Sequence, residues 1–228
     1  MIKCDAWPFG CKKYYSNNMQ LPFSQESFFK VFTTYNTSVW PSQLAIYVAA
    51  IVVFIFLFRK AKYGSVIISS ILAGYWIWMA VMYHWLFFSL INPAARIFGA
   101  IFLLQSFIFL YEGVWKKQLT FSYKNNIKSQ IGIFFMVFGI IIYPLLGYFL
   151  GHRYPDSPTF GLPCPTTIFT LGVLLLAQRI PKYTVIIPFL WSVLGFTAAL
   201  SLGVYEDISL LIAGVTGILA VFFKQAEQ

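Results

Sequence analysis

Charge is what this chain has least of. Of its 228 residues only 10% are Asp, Glu, Lys or Arg, and just seven are acidic. A soluble domain carries about 25% charged residues, so this chain has too few to coat a water-facing surface of its own size. Three cysteines are too few for a disulfide framework. The signatures of membrane-embedded hydrolases are missing as well: there is no Gly-x-Ser-Gly of the rhomboid kind and no His-Glu-x-x-His of the zincin kind. There is no internal repeat of the kind that builds inverted-repeat transporters.

What the chain does have is apolar: 59% hydrophobic residues, 20% aromatic, and a net charge of +9. The sixteen Lys and Arg fall in short clusters between apolar runs. A nucleic-acid interface needs a continuous basic face in polar surroundings, so that reading is excluded. Clusters of cations between apolar runs are instead the pattern of loops flanking membrane spans.

A membrane-crossing helix needs about 20 apolar residues, with a range of about 17–25. Seven runs qualify, at residues 42–58, 64–90, 94–115, 131–150, 166–180, 183–204 and 208–223. They are too long for barrel strands and lack strand alternation. The expectation is an all-α integral membrane bundle of six to seven transmembrane helices, seven by this count. The last run carries no lysine for a Schiff base, which excludes a retinal protein. Residues 42–224 form the transmembrane domain.

Local signals place the boundaries. Asn92-Pro93 predicts a tight helical hairpin, with Asn92 as N-cap and Pro93 at the first helical position. Residues 151–165 contain four prolines, which exclude helix there, and Thr166 or Thr167 then caps the fifth run. Within residues 19–41, Ser24 caps an amphipathic helix whose Phe28, Val31, Phe32 and Tyr35 share one face. That helix is expected to lie in the membrane interface and to end at Trp40-Pro41. Residues 1–18 have no apolar run, so they are no signal peptide. They read as an extension upstream of a start at Met19.

With seven spans the termini lie on opposite sides. Arg59, Lys60, Lys62, Lys116, Lys117, Lys124, Lys128, Arg179, Lys182 and Lys224 gather on one side, and Lys3, Lys12, Lys13, Lys30, Arg96 and Arg153 on the other. The positive-inside rule puts the N-terminus outside the cell membrane and the C-terminus in the cytoplasm.

The unusual polar residues meet the outer face. They are His84 near the end of the second run, Asn92 and Arg96 opening the third, and His152, Arg153, Tyr154, Asp156 and Cys164 in the proline-rich loop. Thr166 follows the loop, and Glu206 and Asp207 precede the last run. Ionisable residues inside spans are expensive and point to function. Three functional readings compete. The first is a small-solute or ion permease lined by His84, Asn92, Arg96, His152, Tyr154, Cys164, Thr166 and Glu206. In it Arg96 adds charge to a positive helix N-terminus and attracts an anion. Otherwise Arg96 snorkels to headgroups or pairs with Glu206 or Asp207. The second is a sensor or enzyme holding a transition metal on His84, His152 and Cys164, although no two of these fall at helical spacing. The third is a structural subunit of a membrane complex. No cofactor is identified. The expected partners are the lipid bilayer, an unidentified solute or ion and a second copy of the chain. Away from this face, Glu112 stands four residues before Lys116, the favourable order for a helical ion pair. Gln105 is placed to bond across helices, and Gly147-x-x-x-Gly151 to allow close packing.

Several stretches carry a resemblance: Leu21-Pro-Phe-Ser with Phe28-Phe29 and Tyr35-Asn36; Trp40-Pro41; Ile91-Asn92-Pro93-Ala94-Ala95; Tyr143-Pro-Leu-Leu-Gly147; and Gly151-His152 with Pro158-Thr-Phe-Gly-Leu-Pro-Cys-Pro-Thr-Thr-Ile-Phe-Thr170. From about Leu21 to the last run, the chain resembles a bacterial family of multi-pass membrane proteins catalogued as a domain of unknown function, number 6064. The resemblance implies a membrane fold, a start near the Leu-Pro-Phe segment and no known activity. Members are sometimes labelled permeases of the major facilitator type, but seven spans are too few for that twelve-helix fold.

Overall fold

The computed structural model describes residues 22–59 and 61–222. The 1–18 extension, the Met19 start, Lys60 and Lys224 lie outside them. Eight helices carry the fold: α1 (Gln25–Val39), α2 (Gln43–Phe58), α3 (Gly64–Leu90), α4 (Ala95–Trp115), α5 (Ile127–Phe149), α6 (Pro163–Leu175), α7 (Lys182–Leu202) and α8 (Tyr205–Phe222). One small antiparallel pair, β1 (Thr120–Phe121) with β2 (Ala177–Arg179), closes one end.

Five helices, α3, α4, α5, α7 and α8, are long and apolar enough to cross a membrane. The count rises to six if α1 and α2, which meet at a bend of 84°, are taken as one broken span. Seven runs were expected at span length. Two of them fold shorter: α2 has 16 residues and α6 has 13.

The largest departure is α6. The expected helix at 166–180 starts instead at Pro163 and stops at Leu175, where the chain turns into β2. Prolines do not exclude its beginning. Pro163 and Pro165 occupy the first turn, where a missing N–H leaves no hydrogen bond unmade. Thr166 is therefore not the cap; its hydroxyl accepts the Gly161 N–H at 2.9 Å. At 1.5 Å per residue α6 is about 20 Å long, against a hydrocarbon core of about 30 Å. It is nevertheless buried along almost its whole length. A helix enclosed on every side by protein need not match the bilayer, and irregular backbone at its ends is tolerated where protein surrounds it.

Small residues let the enclosing helices approach. A Cβ at Gly132 of α5 would stand 2.7 Å from the Gly172 carbonyl oxygen of α6. One at Gly139 would stand 2.5 Å from that of Pro165. Gly113 meets Ser69, and Gly214 meets Ser192, in the same way. Gly147 packs against the Glu206 side chain, whereas Gly151, with φ +100°, ends its helix and has no neighbour within 4 Å. Only the first half of that expected glycine pair is a packing contact.

The other boundaries follow their local chemistry. Ser24 caps α1, accepting the Ser27 N–H at 3.2 Å, and Val31, Phe32 and Tyr35 form its buried face. Asn92 turns the α3–α4 hairpin by accepting the Ala94 N–H at 3.1 Å, and regular helix begins at Ala95, later than the expected Pro93. α3 widens to π-helical turns over Met79–Phe87, α4 over Tyr111–Trp115 and α5 over Phe138–Ile142. Such turns occur often at functional sites.

Candidate functional site

The two ends of the bundle differ. At one end β1 pairs with β2, and the Tyr123 N–H donates to Leu57 O at 2.9 Å. This gathers the segments that carry Arg59, Lys62, Lys116, Lys117, Lys124, Arg179 and Lys182. Here Glu112 is fully buried and pairs with Lys116 at 3.4 Å, as its spacing predicts. Tyr183 also donates to it at 2.5 Å, a bond no spacing rule reveals. Gln105 reaches across to Thr184 O at 3.0 Å.

At the other end the proline-rich loop is fastened onto α1. The Asn36 amide donates to Pro155 O at 2.7 Å and to Ser157 O at 2.9 Å. Its carbonyl oxygen accepts from Thr159 at 2.7 Å and from Gln43 at 2.9 Å. Every hydrogen-bonding atom of that side chain is used. Tyr35 donates to Gly161 O at 3.2 Å and accepts from the Trp78 indole at 2.6 Å. Thr33 donates to Asp156.

Beneath this fastened end lies a half-open cavity of about 210 Å³, between the start of α1, the α3–α4 hairpin and the second half of α7. Its wall is aromatic: Phe28, Phe32, Tyr83, Phe88, Phe98 and Trp191. Its polar side chains are few: Tyr143, Cys164 and Asp207, with Asn92, Thr197 and Ser201. Asp207 is 5% exposed and accepts a hydrogen bond from Tyr143. Cys164, a free thiol, sits beside Asp207 and Trp191. Small, mostly apolar cavities with a few converging polar groups are the usual form of a ligand site.

The expected site residues are partly brought together. Asn92 and Cys164 line the cavity. His152 and Glu206 form a pair beside it, Nδ1 to Oε1 2.8 Å, with the carboxylate fully buried and the imidazole 4.8 Å from the Phe29 ring. Thr166 is buried behind the cavity in its bond to Gly161. Tyr154 is 55% exposed, and its hydroxyl reaches Asn36 O at 3.4 Å. The Arg96 side chain is exposed; its backbone carbonyl accepts from the Trp85 indole at 3.1 Å. It pairs with neither Glu206 nor Asp207, because Glu206 holds His152 and Asp207 holds Tyr143.

The metal set is not assembled. His84 is fully buried in a box of rings, 4.6 Å from Phe102 and 5.2 Å from Trp191. Neither of its ring nitrogens has a hydrogen-bond partner, while His152 is occupied by Glu206. Among the described residues no group of three His, Cys, Asp or Glu side chains is placed to hold a metal ion. The sequence had singled out Tyr143 only within a motif, and Trp191 and Gly195 not at all. Gly195 lines the cavity, and a Cβ there would stand 3.7 Å from the Cys164 sulfur.

No curated protein and no solved structure matches the chain. Residues 25–228 match a family of unknown function, DUF6064. The match takes in α1, the fastened loop, the cavity and all the helices around it, so the chain belongs to the DUF6064 family.

Proposed function

We propose that this chain is an integral membrane protein that binds a small, largely apolar molecule in the cavity at its outer end. The observation that carries the reading is the cavity itself, which is aromatic over much of its wall and lined by few polar side chains, the buried Tyr143 and Asp207 and the Cys164 thiol among them. In this reading the bundle makes seven passes: five by the long helices, and two by the shorter α2 and α6, of which α6 is held inside the protein. Exposed side chains such as Leu194 at 49% and Leu90 at 77% support a lipid-facing exterior. The cationic loops gathered at the β1–β2 end support a cytoplasmic placement of that end, with the N-terminus outside. A permease would be the mobile form of the same binding site, releasing its molecule on the other side. The buried α6 and the ring-packed His84 stand across that route and favour binding over free passage.

The test is chemical extraction of protein purified from membranes, followed by mass spectrometry. Wild-type protein should release a small organic molecule in a fixed ratio to protein. Ala198→Trp, which fills the cavity wall, should release none. Equal recovery from both proteins, or none from either, would sink the reading.

A further inference from the structure

Among the described residues, Asp207 is the one carboxyl side chain lining the cavity. Burying a charge is costly unless it is paired. Among the described residues, however, the ion pairs are Lys116 with Glu112 and His152 with Glu206. Asp207 has no cation; its partners are the neutral Tyr143 hydroxyl and the neighbouring Cys164 thiol. The adjacent Glu206 adds a second buried carboxyl group, and the His152 imidazole is engaged by Glu206. Arg153, the nearest permanent cation in the loop sequence, lies instead over the Tyr148 ring, 5.1 Å from its centroid.

The wall complements the Asp207 carboxyl group, which has no cationic partner among the described residues. Phe28, Phe32, Tyr83, Phe88, Phe98 and Trp191 face the space. Aromatic faces carry negative potential and attract cations, most strongly where water is excluded. The mouth runs along Leu194, Thr197 and Ser201, an exposed face of α7 that is apolar or neutral throughout. A ligand arriving by this route must be apolar enough to travel along it. Resting on the reading of the cavity as a ligand site, we propose that its ligand is a small lipophilic cation: an ammonium group on an apolar body, with Asp207 as counter-ion and the aromatic wall as π partner.

The test uses two molecules of one shape, benzyltrimethylammonium and its uncharged carbon counterpart neopentylbenzene. Each is titrated calorimetrically into full-length protein in lipid nanodiscs, with empty nanodiscs subtracted. The cation should bind saturably and at least about tenfold more tightly than the neutral molecule. Asp207→Asn should abolish the difference, whereas Lys116→Ala, at the far end of the bundle, should leave it intact. The comparison of the two molecules on wild-type protein stands even if the Asp207 variant does not fold. Equal binding of both overturns the cation proposal and leaves the cavity as a ligand site. A preference that survives Asp207→Asn overturns the role given to Asp207. Saturable binding of neither overturns both the proposal and the reading beneath it.

Discussion

Gly132 of α5 and Gly172 of α6 face each other so closely that a Cβ on either would stand 2.7 Å from the other's carbonyl oxygen. Backbone cannot move aside as a flexible side chain can, so Gly172→Ala should destabilise the protein by about 1–3 kcal/mol, the usual cost of overpacking. Gly74 of α3 has nothing within 4 Å of its Cβ position. Gly74→Ala should leave stability unchanged or raise it by about 0.5–1 kcal/mol through helix propensity. Thermal unfolding of both variants in one detergent checks the contrast, and a Gly172→Ala protein as stable as wild type would contradict the close approach.

Asn36 is the clasp of the proline-rich loop. Asn36→Ala removes two donors and one shared acceptor, leaving the Pro155 and Ser157 carbonyls and the Thr159 hydroxyl without this partner, while the Gln43 amide keeps only Thr159. Each buried polar group left unpaired costs about 1–3 kcal/mol. The loop at 151–162 should then become the first site of cleavage in limited proteolysis, while α3 and α4 stay protected. Uniform loss of protection would mean that Asn36 supports the whole fold rather than this loop.

His152 and Glu206 make a separate fastening. Removing one member of a buried pair costs about 3–5 kcal/mol because the other charge is stranded. The imidazole is 15% exposed and the carboxylate fully buried. His152→Ala should therefore be more damaging than Glu206→Gln, which removes the charge that needs a partner. Melting temperatures of the two variants decide the order.

At the opposite end, Glu112 accepts from Tyr183 and pairs with Lys116. The Lys116 side chain is 41% exposed, where solvent screens the pair, so Lys116→Ala should cost less than loss of the Tyr183 hydroxyl. Tyr183→Phe should cost about 1.5 kcal/mol, the low end for a hydrogen bond to a charged group, because Tyr183 is itself 44% exposed. Chemical unfolding of the two single variants and the double variant measures how far the partners act independently.

Arg96 provides a negative prediction. Its side chain points away from the cavity, into the surroundings. Arg96→Ala should leave the molecule recovered from purified protein unchanged in identity and amount, and a loss would place Arg96 in the site.

The sequence announced what local chemistry enforces. Ser24, Asn92 and the apolar run from Gly64 to Leu90 behave as their neighbours dictate, and the Glu112–Lys116 pair follows from helical geometry alone. The prolines before Thr166 misled because a first turn accepts what a helix interior rejects. Convergence of side chains was the least legible feature. Helices apolar on every face carry no stripe to fix their rotation. Nothing in the spacing therefore says that His84 turns into a ring of aromatics while Tyr143 meets Asp207 and Cys164. Asn36 stood in view within a recognised motif, yet its partners lie more than a hundred residues away.

The enclosure of α6 has a consequence for how the protein is made. Lipid cannot hold a segment this short, opened by two prolines and carrying Thr166, Thr167 and Thr170. Its place in the fold is granted by its neighbours, so α6 settles only once α5 and the helices after it are there to receive it. The same dependence frees its sequence from the demand for greasiness that governs the outer helices. Polar residues can accumulate on α6 and at its mouth without jeopardising insertion, and Cys164 stands in that tolerant stretch.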